Sequence, residues 1–152
     1  FHKAVELYSH HVSDEDLRSY LSDFFMDSYL PIYNMIGEIA EIKQPDMKSI
    51  LQTARPEWGF NSILDQNILL SGQIDLWGID QNNTIHILDY KTGSMYHLKK
   101  AAFQLALYKQ VLRKLYPESE IQTHVIYPAE GSIVSLDVGE TLDLTFIKDK
   151  TI

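Results

Sequence analysis

The stretch 74–91, IDLWGIDQNNTIHILDYK, decides the fold. Apolar residues recur with a period of two on both sides of the polar segment 80–83, which is the pattern of an antiparallel β-hairpin. The same period begins at Glu57 and is broken once more at 65–67. The sequence therefore predicts an antiparallel meander of three strands.

The length of the loop in this hairpin determines which residues face each other. With a three-residue loop that ends in a left-handed Asn83, Asp80 pairs with Thr84. In the same register, Asp75 lies opposite Asp89. With a two-residue loop the register slips by one, and the two carboxylates leave the sheet by different faces. The three-residue loop thus predicts two facing carboxylates, whose repulsion a cation between them would offset.

Lys91 lies two residues beyond Asp89, so strand alternation projects both side chains from the same face. Carboxylate ligands of this kind select Mg²⁺ or Mn²⁺ over Zn²⁺. An adjacent ammonium could orient a metal-bound water or neutralise charge on a phosphodiester, so Asp75, Asp89 and Lys91 outline a hydrolytic site. The alternative is an exposed ion pair, worth well under about 1 kcal/mol. We expect Asp89 to face a metal and Lys91 to face water and phosphate, not each other.

Helices and two further strands complete the prediction of one α/β domain with a central mixed sheet flanked by helices. Apolar spacing and breakers predict the following elements: two helices within residues 1–36 with Ser13 at the start of the second, a short helix over 46–54, a long helix over 98–116 that Pro117 ends, and strands near 123–127 and 132–138.

The composition of the chain excludes several kinds of metal site and argues against a membrane protein. The chain has 152 residues, no cysteine and a formal net charge of −8. Without cysteine, disulfides and Cys-ligated zinc or iron–sulfur clusters are excluded, so any metal must bind oxygen or imidazole. No run approaches the roughly 20 apolar residues of a membrane helix, and no signal peptide is recognisable, so we expect a soluble cytoplasmic protein. The first residue is not Met, and we expect a domain cut from a longer chain.

Positive charge is concentrated in one segment. Residues 91–116 contain six basic side chains and no acidic one, although the whole chain is acidic. Both a solvated helix face and a phosphate-binding surface have this pattern. The net charge alone argues against nucleic acid as a partner, and the local charge argues for it.

Three motifs occur in order: GQID at 72–75, DYKTG at 89–93 and QLALY at 104–108. In this order and spacing they resemble the RecB-like branch of the PD-(D/E)XK nuclease superfamily. The DYKTG form is most similar to nuclease domains fused to recombination helicases of the RecB and AddA type. EWGF at 57–60 is similar to the Glu-x-x-Phe start of a strand in that family, and HKAVE at 2–6 resembles its first-helix histidine motif.

The resemblance implies a restriction-endonuclease-like core and roles for individual residues. By position it implies these assignments: Asp75, Asp89 and the main-chain carbonyl of Tyr90 as ligands of divalent metal, Lys91 as the catalytic lysine, His2 as a further metal ligand with Glu6 in support, Gln104, Tyr108 and Lys100 as DNA contacts, and Gly72 as a supporting residue. The other histidines match no motif, and Trp58 and Trp77 are expected to be packing residues.

The resemblance further implies a Mg²⁺- or Mn²⁺-dependent deoxyribonuclease, an exonuclease acting on single-stranded DNA or duplex ends. Its expected neighbours are helicase domains of DNA repair or recombination, in the same chain or a partner subunit, at the bacterial nucleoid. The absence of cysteine disfavours the iron–sulfur subgroup. Two alternatives remain open: an inactive relative that binds DNA or a partner subunit, and a structural domain in which Asp75, Asp89 and Lys91 form a buried ionic network.

Overall fold

A computed structural model describes residues 1–9, 13–65, 68–91 and 98–140. These residues form a five-stranded sheet with helices on both faces, as predicted. The helices are α1 (His2–Ser9), α2 (Asp14–Phe25), α3 (Tyr29–Ala40), α4 (Met47–Gln52) and α5 (Leu98–Leu115). The strands are β1 (Arg55–Asp65), β2 (Ile68–Ile79), β3 (Ile85–Tyr90), β4 (Ile121–Tyr127) and β5 (Ser132–Leu136). Within the described part of the chain, no helix has the length and apolar composition of a membrane span.

The predicted meander is confirmed, because β1, β2 and β3 pair in sequence and antiparallel. The loop between β2 and β3 has the three-residue form. Asn83 has a φ of 63°, and the Asp80 N–H donates to the Thr84 carbonyl at 3.0 Å. Extended one residue past its last pair, the register of the two strands puts Asp75 opposite Asp89.

The sheet is mixed because β4 runs parallel to β3 and antiparallel to β5. The long helix α5 makes the crossover that a parallel pair requires. Trp58 and Trp77 are packing residues as predicted, with ring centroids 5.7 Å apart in an edge-to-face contact. The predicted strand end at 92–93 and the histidines at positions 10, 11 and 97 lie outside the described residues.

Strand alternation divides the core between two faces of the sheet. Ile87 packs with α5 on one face, whereas Leu88 packs with α1, α2, α3 and α4 on the other. Tyr90 lies on the side of Leu88, so alternation directs Asp89 to the α5 side. The end of β3 therefore presents a carboxylate to one layer of helices and an aromatic ring to the other.

The N-terminal region differs from the prediction of two helices within residues 1–36. Three helices are described there, because a 3₁₀ turn over Met26–Ser28 separates α2 from α3 and Met26 has a φ of 51°. The apolar spacing continues through this turn, so periodicity could not reveal the break. Ser13 caps α2 as predicted, accepting a hydrogen bond from the Asp16 N–H at 3.1 Å.

The short helix α4 confirms the prediction over 46–54 and lies very close to β2. A Cβ atom on Gly78 would lie 2.5 Å from the carbonyl oxygen of Ile50, so a larger residue would push α4 away. Thr53 adds two hydrogen bonds to the same strand, since its Oγ1 accepts from the Ile79 N–H and donates to the Ile79 carbonyl. These contacts hold the C-terminal part of β2, which follows Asp75, against α4 and Thr53.

A buried chain of hydrogen bonds, which the sequence did not suggest, crosses β3, β4 and β5. His86 Nε2 lies 2.7 Å from Asp80 Oδ2, His86 Nδ1 lies 2.8 Å from His124 Nε2, and His124 Nδ1 lies 2.8 Å from Ser135 Oγ. Two neutral rings, each protonated on Nε2, satisfy all three contacts with one proton apiece. Burial, together with the neighbouring His86, lowers the pKa of His124 to about 4.

We expect this network to destabilise the protein in acid. The pKa of His124 is lower in the folded state than its ordinary 6.5, so the unfolded chain takes up the proton first. The free energy of unfolding of the wild type, minus that of His124→Gln, should fall by about 2–3 kcal/mol between pH 7 and pH 4. Urea unfolding at several pH values measures this difference, in which other titrating groups cancel. A difference independent of pH would contradict the assignment.

Candidate active site

Three carboxylates lie in one row across β1, β2 and β3. The strand registers place Glu57 opposite Asp75 and, one residue beyond the last regular pair, Asp75 opposite Asp89. The sheet is irregular at this row. The Tyr90 N–H donates to Asp75 Oδ2 at 2.8 Å. Glu57 has a φ of 50°, a backbone angle that residues other than glycine rarely adopt. The facing pair predicted from the hairpin loop is thus present, with a third carboxylate beside it.

Asp89 is the most deeply buried of the three, with only 4% of its side chain exposed. Burial raises the pKa of Asp89 to about 6, and the adjacent Asp75 adds to the rise while Lys91 opposes it. Lys91 Nζ lies 2.8 Å from Asp89 Oδ2, and this ion pair partly compensates the burial of the carboxylate.

Asp89 and Lys91 lie directly against each other in this structure. That Asp89 faces a metal and Lys91 faces water and phosphate stays a prediction. Alternation places both side chains on the α5 face, and with the Asp89 carboxylate buried there, the ammonium is the nearest source of positive charge. The ion pair is partly buried, since 35% of the Lys91 side chain is exposed.

Helix α5 holds Lys91 from the other side. Lys91 Nζ donates to Gln104 Oε1 at 3.0 Å, and Gln104 Nε2 donates to the Tyr108 hydroxyl at 2.7 Å. Gln104 and Tyr108 are one helical turn apart, as their spacing predicted. The ring of Tyr108 packs edge-on against Phe60, with centroids 5.9 Å apart. The structure therefore brings the predicted lysine, glutamine and tyrosine into one hydrogen-bonded chain, and Lys91 at its start is ion-paired with Asp89.

His2 approaches the row from α1. Its Nδ1 lies 2.8 Å from Glu57 Oε1 and 3.8 Å from Asp75 Oδ1. Gln73 Nε2 donates to the second oxygen of Glu57 at 2.7 Å. The Tyr90 ring packs edge-on against the imidazole, with ring centroids 4.6 Å apart. One ligand atom from each of His2, Glu57 and Asp75 lies within 4.8 Å of the others, so these side chains could hold a metal ion together.

Three residues predicted to support the site lie outside this cluster. Glu6 is ion-paired with Lys3 at 2.9 Å. Gly72 accommodates the ring of Phe60, because a Cβ atom at position 72 would lie 3.0 Å from that ring. Lys100 is exposed in the first turn of α5. Gly72 therefore affects the site only indirectly, because it makes room for the ring of Phe60, which packs against Tyr108.

The basic segment 91–116 is not a uniform phosphate-binding face. Lys109 and Arg113 both pair with Glu140, at 3.0 and 3.2 Å, and Lys114 donates to a backbone carbonyl of β1. Three of the six basic residues therefore have partners away from the site, and Lys91 has its partners within it. The positive charge at the site comes from Lys91.

The residues present fit a divalent metal. Carboxylate oxygens are the ligands that Mg²⁺ and Mn²⁺ prefer, and the strand register places Asp75 opposite the buried Asp89. Asp75 and Asp89 would hold the ion, with His2 and Glu57 beside them. The Tyr90 main chain lies at the same point, since its N–H contacts Asp75.

The sequence matches the family model of the PD-(D/E)XK nuclease superfamily over residues 1–143. The chain belongs to the PD-(D/E)XK nuclease superfamily. Its mixed sheet with flanking helices agrees with the restriction-endonuclease-like fold. A search of curated proteins finds no match to the chain.

Membership of a nuclease superfamily makes nucleic-acid hydrolysis the chemistry expected of this site. Within it, Glu57 is the residue whose position the sequence did not reveal. It was noted only as the start of a strand, although it lies opposite Asp75. The signal was the β1–β2 register, but the polar residues that separate the two strands in the sequence do not specify that register.

Proposed function

We propose that the protein is a divalent-metal-dependent deoxyribonuclease that hydrolyses phosphodiester bonds at the row of carboxylates. The observation that carries this proposal is the pairing of Asp75 with the buried Asp89, with Lys91 held against Asp89 by Gln104. Such a pair binds Mg²⁺ or Mn²⁺, which would polarise a phosphate and make bound water more acidic. An ammonium has three donors, so Lys91 can contact Gln104 and still donate to a water or a phosphate oxygen.

The family resemblance of the three motifs supports the finer assignment to RecB-like exonucleases joined to a repair or recombination helicase. The contact of His2 with Glu57 and Asp75 agrees with it, because that resemblance implies a metal-binding histidine on the first helix. The net charge of −8 suggests that neighbouring helicase domains or a partner subunit supply most of the DNA affinity. Such an enzyme would act in the bacterial cytoplasm, at the nucleoid.

A cleavage assay tests this proposal. We expect linear single-stranded and duplex DNA to be degraded with Mg²⁺ or Mn²⁺ and to remain intact with a chelator. Circular single-stranded DNA should resist, because an exonuclease needs an end. Asp75→Asn should abolish cleavage, whereas the exposed Glu15→Gln should not affect it. The full-length protein should bind DNA more tightly than this domain at the same salt concentration.

Each alternative has its own outcome. Cleavage that persists with a chelator, or in Asp75→Asn, would refute the site. Binding of DNA without any cleavage would favour the inactive relative. Absence of any rise in melting temperature with Mg²⁺ or Mn²⁺ would favour the purely structural ionic network, since a ligand that binds only the folded state stabilises it.

A further inference from the structure

We propose that the exposed side of the β1–β2 hairpin binds one unpaired strand of DNA on its way to the carboxylate row. The inference rests on the proposed function, since it extends the same site. It gives a role to residues 61–71, which lie outside the motifs. We call this surface the hairpin face. It consists of three cross-strand pairs, Gly59 with Gln73, Asn61 with Ser71, and Ile63 with Leu69.

The hairpin face begins at the site. Glu57 lies opposite Asp75 in the β1–β2 register, and strand alternation directs the three following pairs to the side on which the Glu57 carboxylate lies. Two contacts mark this side: His2 of α1 lies 2.8 Å from Glu57 Oε1, and Gln73 Nε2 donates to Glu57 Oε2 at 2.7 Å. A DNA strand bound along the hairpin face therefore reaches the carboxylate row directly.

The two sides of the hairpin differ in burial. On one side, Trp58 and Phe60 pack with apolar residues of α5. On the other side, all six residues of the hairpin face are exposed. The last pair is the most apolar, with 55% of Ile63 and 69% of Leu69 exposed. Two large aliphatic side chains that lie opposite each other in water form an apolar patch, which is typical of a contact surface.

The chemistry of the hairpin face suits an unpaired strand. None of its six residues is acidic, although the chain has 21 acidic residues. Asn61 Oδ1 accepts from Ser71 Oγ, so the amide N–H groups of Asn61 can donate to phosphate or sugar oxygens. Gly59 lets a ligand approach the backbone closely, since nothing lies within 4 Å of a Cβ atom built there. Ile63 and Leu69 can cover the faces of bases, which a duplex keeps stacked and an unpaired strand exposes.

The length of the hairpin face sets the number of nucleotides it can bind. Ile63 lies six residues from Glu57, so at about 3.3 Å per residue the last pair is about 20 Å from the carboxylate row. A stacked strand advances about 3.4 Å per nucleotide, so about six nucleotides span this distance. Lys114 donates to the Ile63 carbonyl and places a positive charge near the last pair. A strand of three nucleotides would not reach that pair.

Cleavage of oligothymidylates of three to twelve nucleotides tests the hairpin face. With Mg²⁺, kcat/KM of the wild type should rise about 10-fold or more between three and eight nucleotides, because base contacts are added at the last pair. Ile63→Ser/Leu69→Ser should lose this rise through a higher KM and cleave the trinucleotide as the wild type does. Tyr20→Ser/Leu30→Ser, which removes two exposed apolar side chains from α2 and α3, should retain it.

A charge in the middle of the hairpin face provides a second test. Ser71→Asp should lower kcat/KM for the octanucleotide about 5-fold at low salt, because the carboxylate repels the phosphates, and the effect should shrink as salt is added. The trinucleotide should be affected much less. Ser22→Asp, at an exposed position of α2, is the matched control and should leave both substrates unaffected. Thermal melting of each variant confirms that it is folded.

A wild type with the same kcat/KM for three and eight nucleotides would overturn the inference, as would a double variant that keeps the rise. A double variant that is normal as this domain but loses DNA cleavage in the full-length protein would show that the hairpin face contacts a neighbouring domain instead. The proposed function fails separately: the wild type would then leave DNA uncut with either ion. Fluorescence anisotropy of a labelled octanucleotide still compares the two proteins in that case, and equal or undetectable binding by both would overturn the inference.

Discussion

Asp89→Asn should abolish cleavage and, without divalent metal, stabilise the protein. Loss of a metal-binding carboxylate should reduce the cleavage rate by about 10³-fold or more, which corresponds to roughly 4 kcal/mol in the activation free energy. At pH 8 the free energy of unfolding should rise by about 1–3 kcal/mol, because burial disfavours the charged carboxylate of Asp89, which the variant no longer carries. For a protein of this size, each kcal/mol corresponds to about 2–4 °C in melting temperature.

The stability difference between Asp89→Asn and the wild type should depend on pH. Burial raises the pKa of Asp89 from its ordinary 3.8 to about 6, so the folded state holds the proton more tightly than the unfolded state. The wild type therefore gains stability as pH falls through 6, and the advantage of Asp89→Asn should shrink toward pH 4. Cation binding to the wild type should also weaken below pH 6, because protons compete for the same oxygens.

Asp23→Asn is the matched control, since Asp23 is exposed on α2. It should change neither the cleavage rate nor the melting temperature measurably. Thermal melting in a chelating buffer at pH 5 and pH 8, with the cleavage assay alongside, measures both effects. An Asp89→Asn protein that is less stable than the wild type at pH 8 would contradict the burial argument, and one that cleaves normally would contradict the site.

Lys91→Met should separate catalysis from metal binding. The ammonium contacts Asp89 at 2.8 Å and Gln104 at 3.0 Å, so it is held where it can stabilise charge on a phosphate. Removing one such electrostatic contact costs about 10²–10³-fold in rate in typical enzymes. Cation affinity should rise, because the positive charge next to Asp89 is gone.

Cleavage of linear DNA and Mn²⁺ titration test both halves of this prediction. Lys48→Met, an exposed lysine on α4, is the control and should behave as the wild type does. If cation affinity falls together with the cleavage rate, Lys91 serves mainly to hold Asp89 in place. An unchanged rate would remove Lys91 from the chemistry.

Local patterns predicted the part of the site that lies on one hairpin. The loop ending at Asn83 sets the β2–β3 register, and the period of two sets the face of Asp89 and Lys91, so both follow from neighbouring residues. Gln104 and Tyr108 are likewise one turn apart on a helix with clear apolar spacing. Each of these relations involves residues close in sequence, where backbone geometry is decisive.

Contacts between distant elements could not be predicted in this way. Glu57 reaches His2 across 55 positions, through the packing of α1 on the sheet. The buried hydrogen bond between His86 and His124 likewise depends on the parallel pairing of β3 with β4. No periodic pattern in the sequence links the two residues of either pair, because their elements come into contact only when the core is packed.

The sequence alone predicted the meander, the family to which the motifs are similar and, for a three-residue loop, the facing of Asp75 and Asp89, because turn chemistry and strand alternation act locally. Only the tertiary structure decided that Lys91 lies against Asp89, that burial raises the pKa of that carboxylate, and that Glu57 completes the row with His2. Burial and electrostatics depend on which atoms replace water around a group, and that is a property of the packed fold.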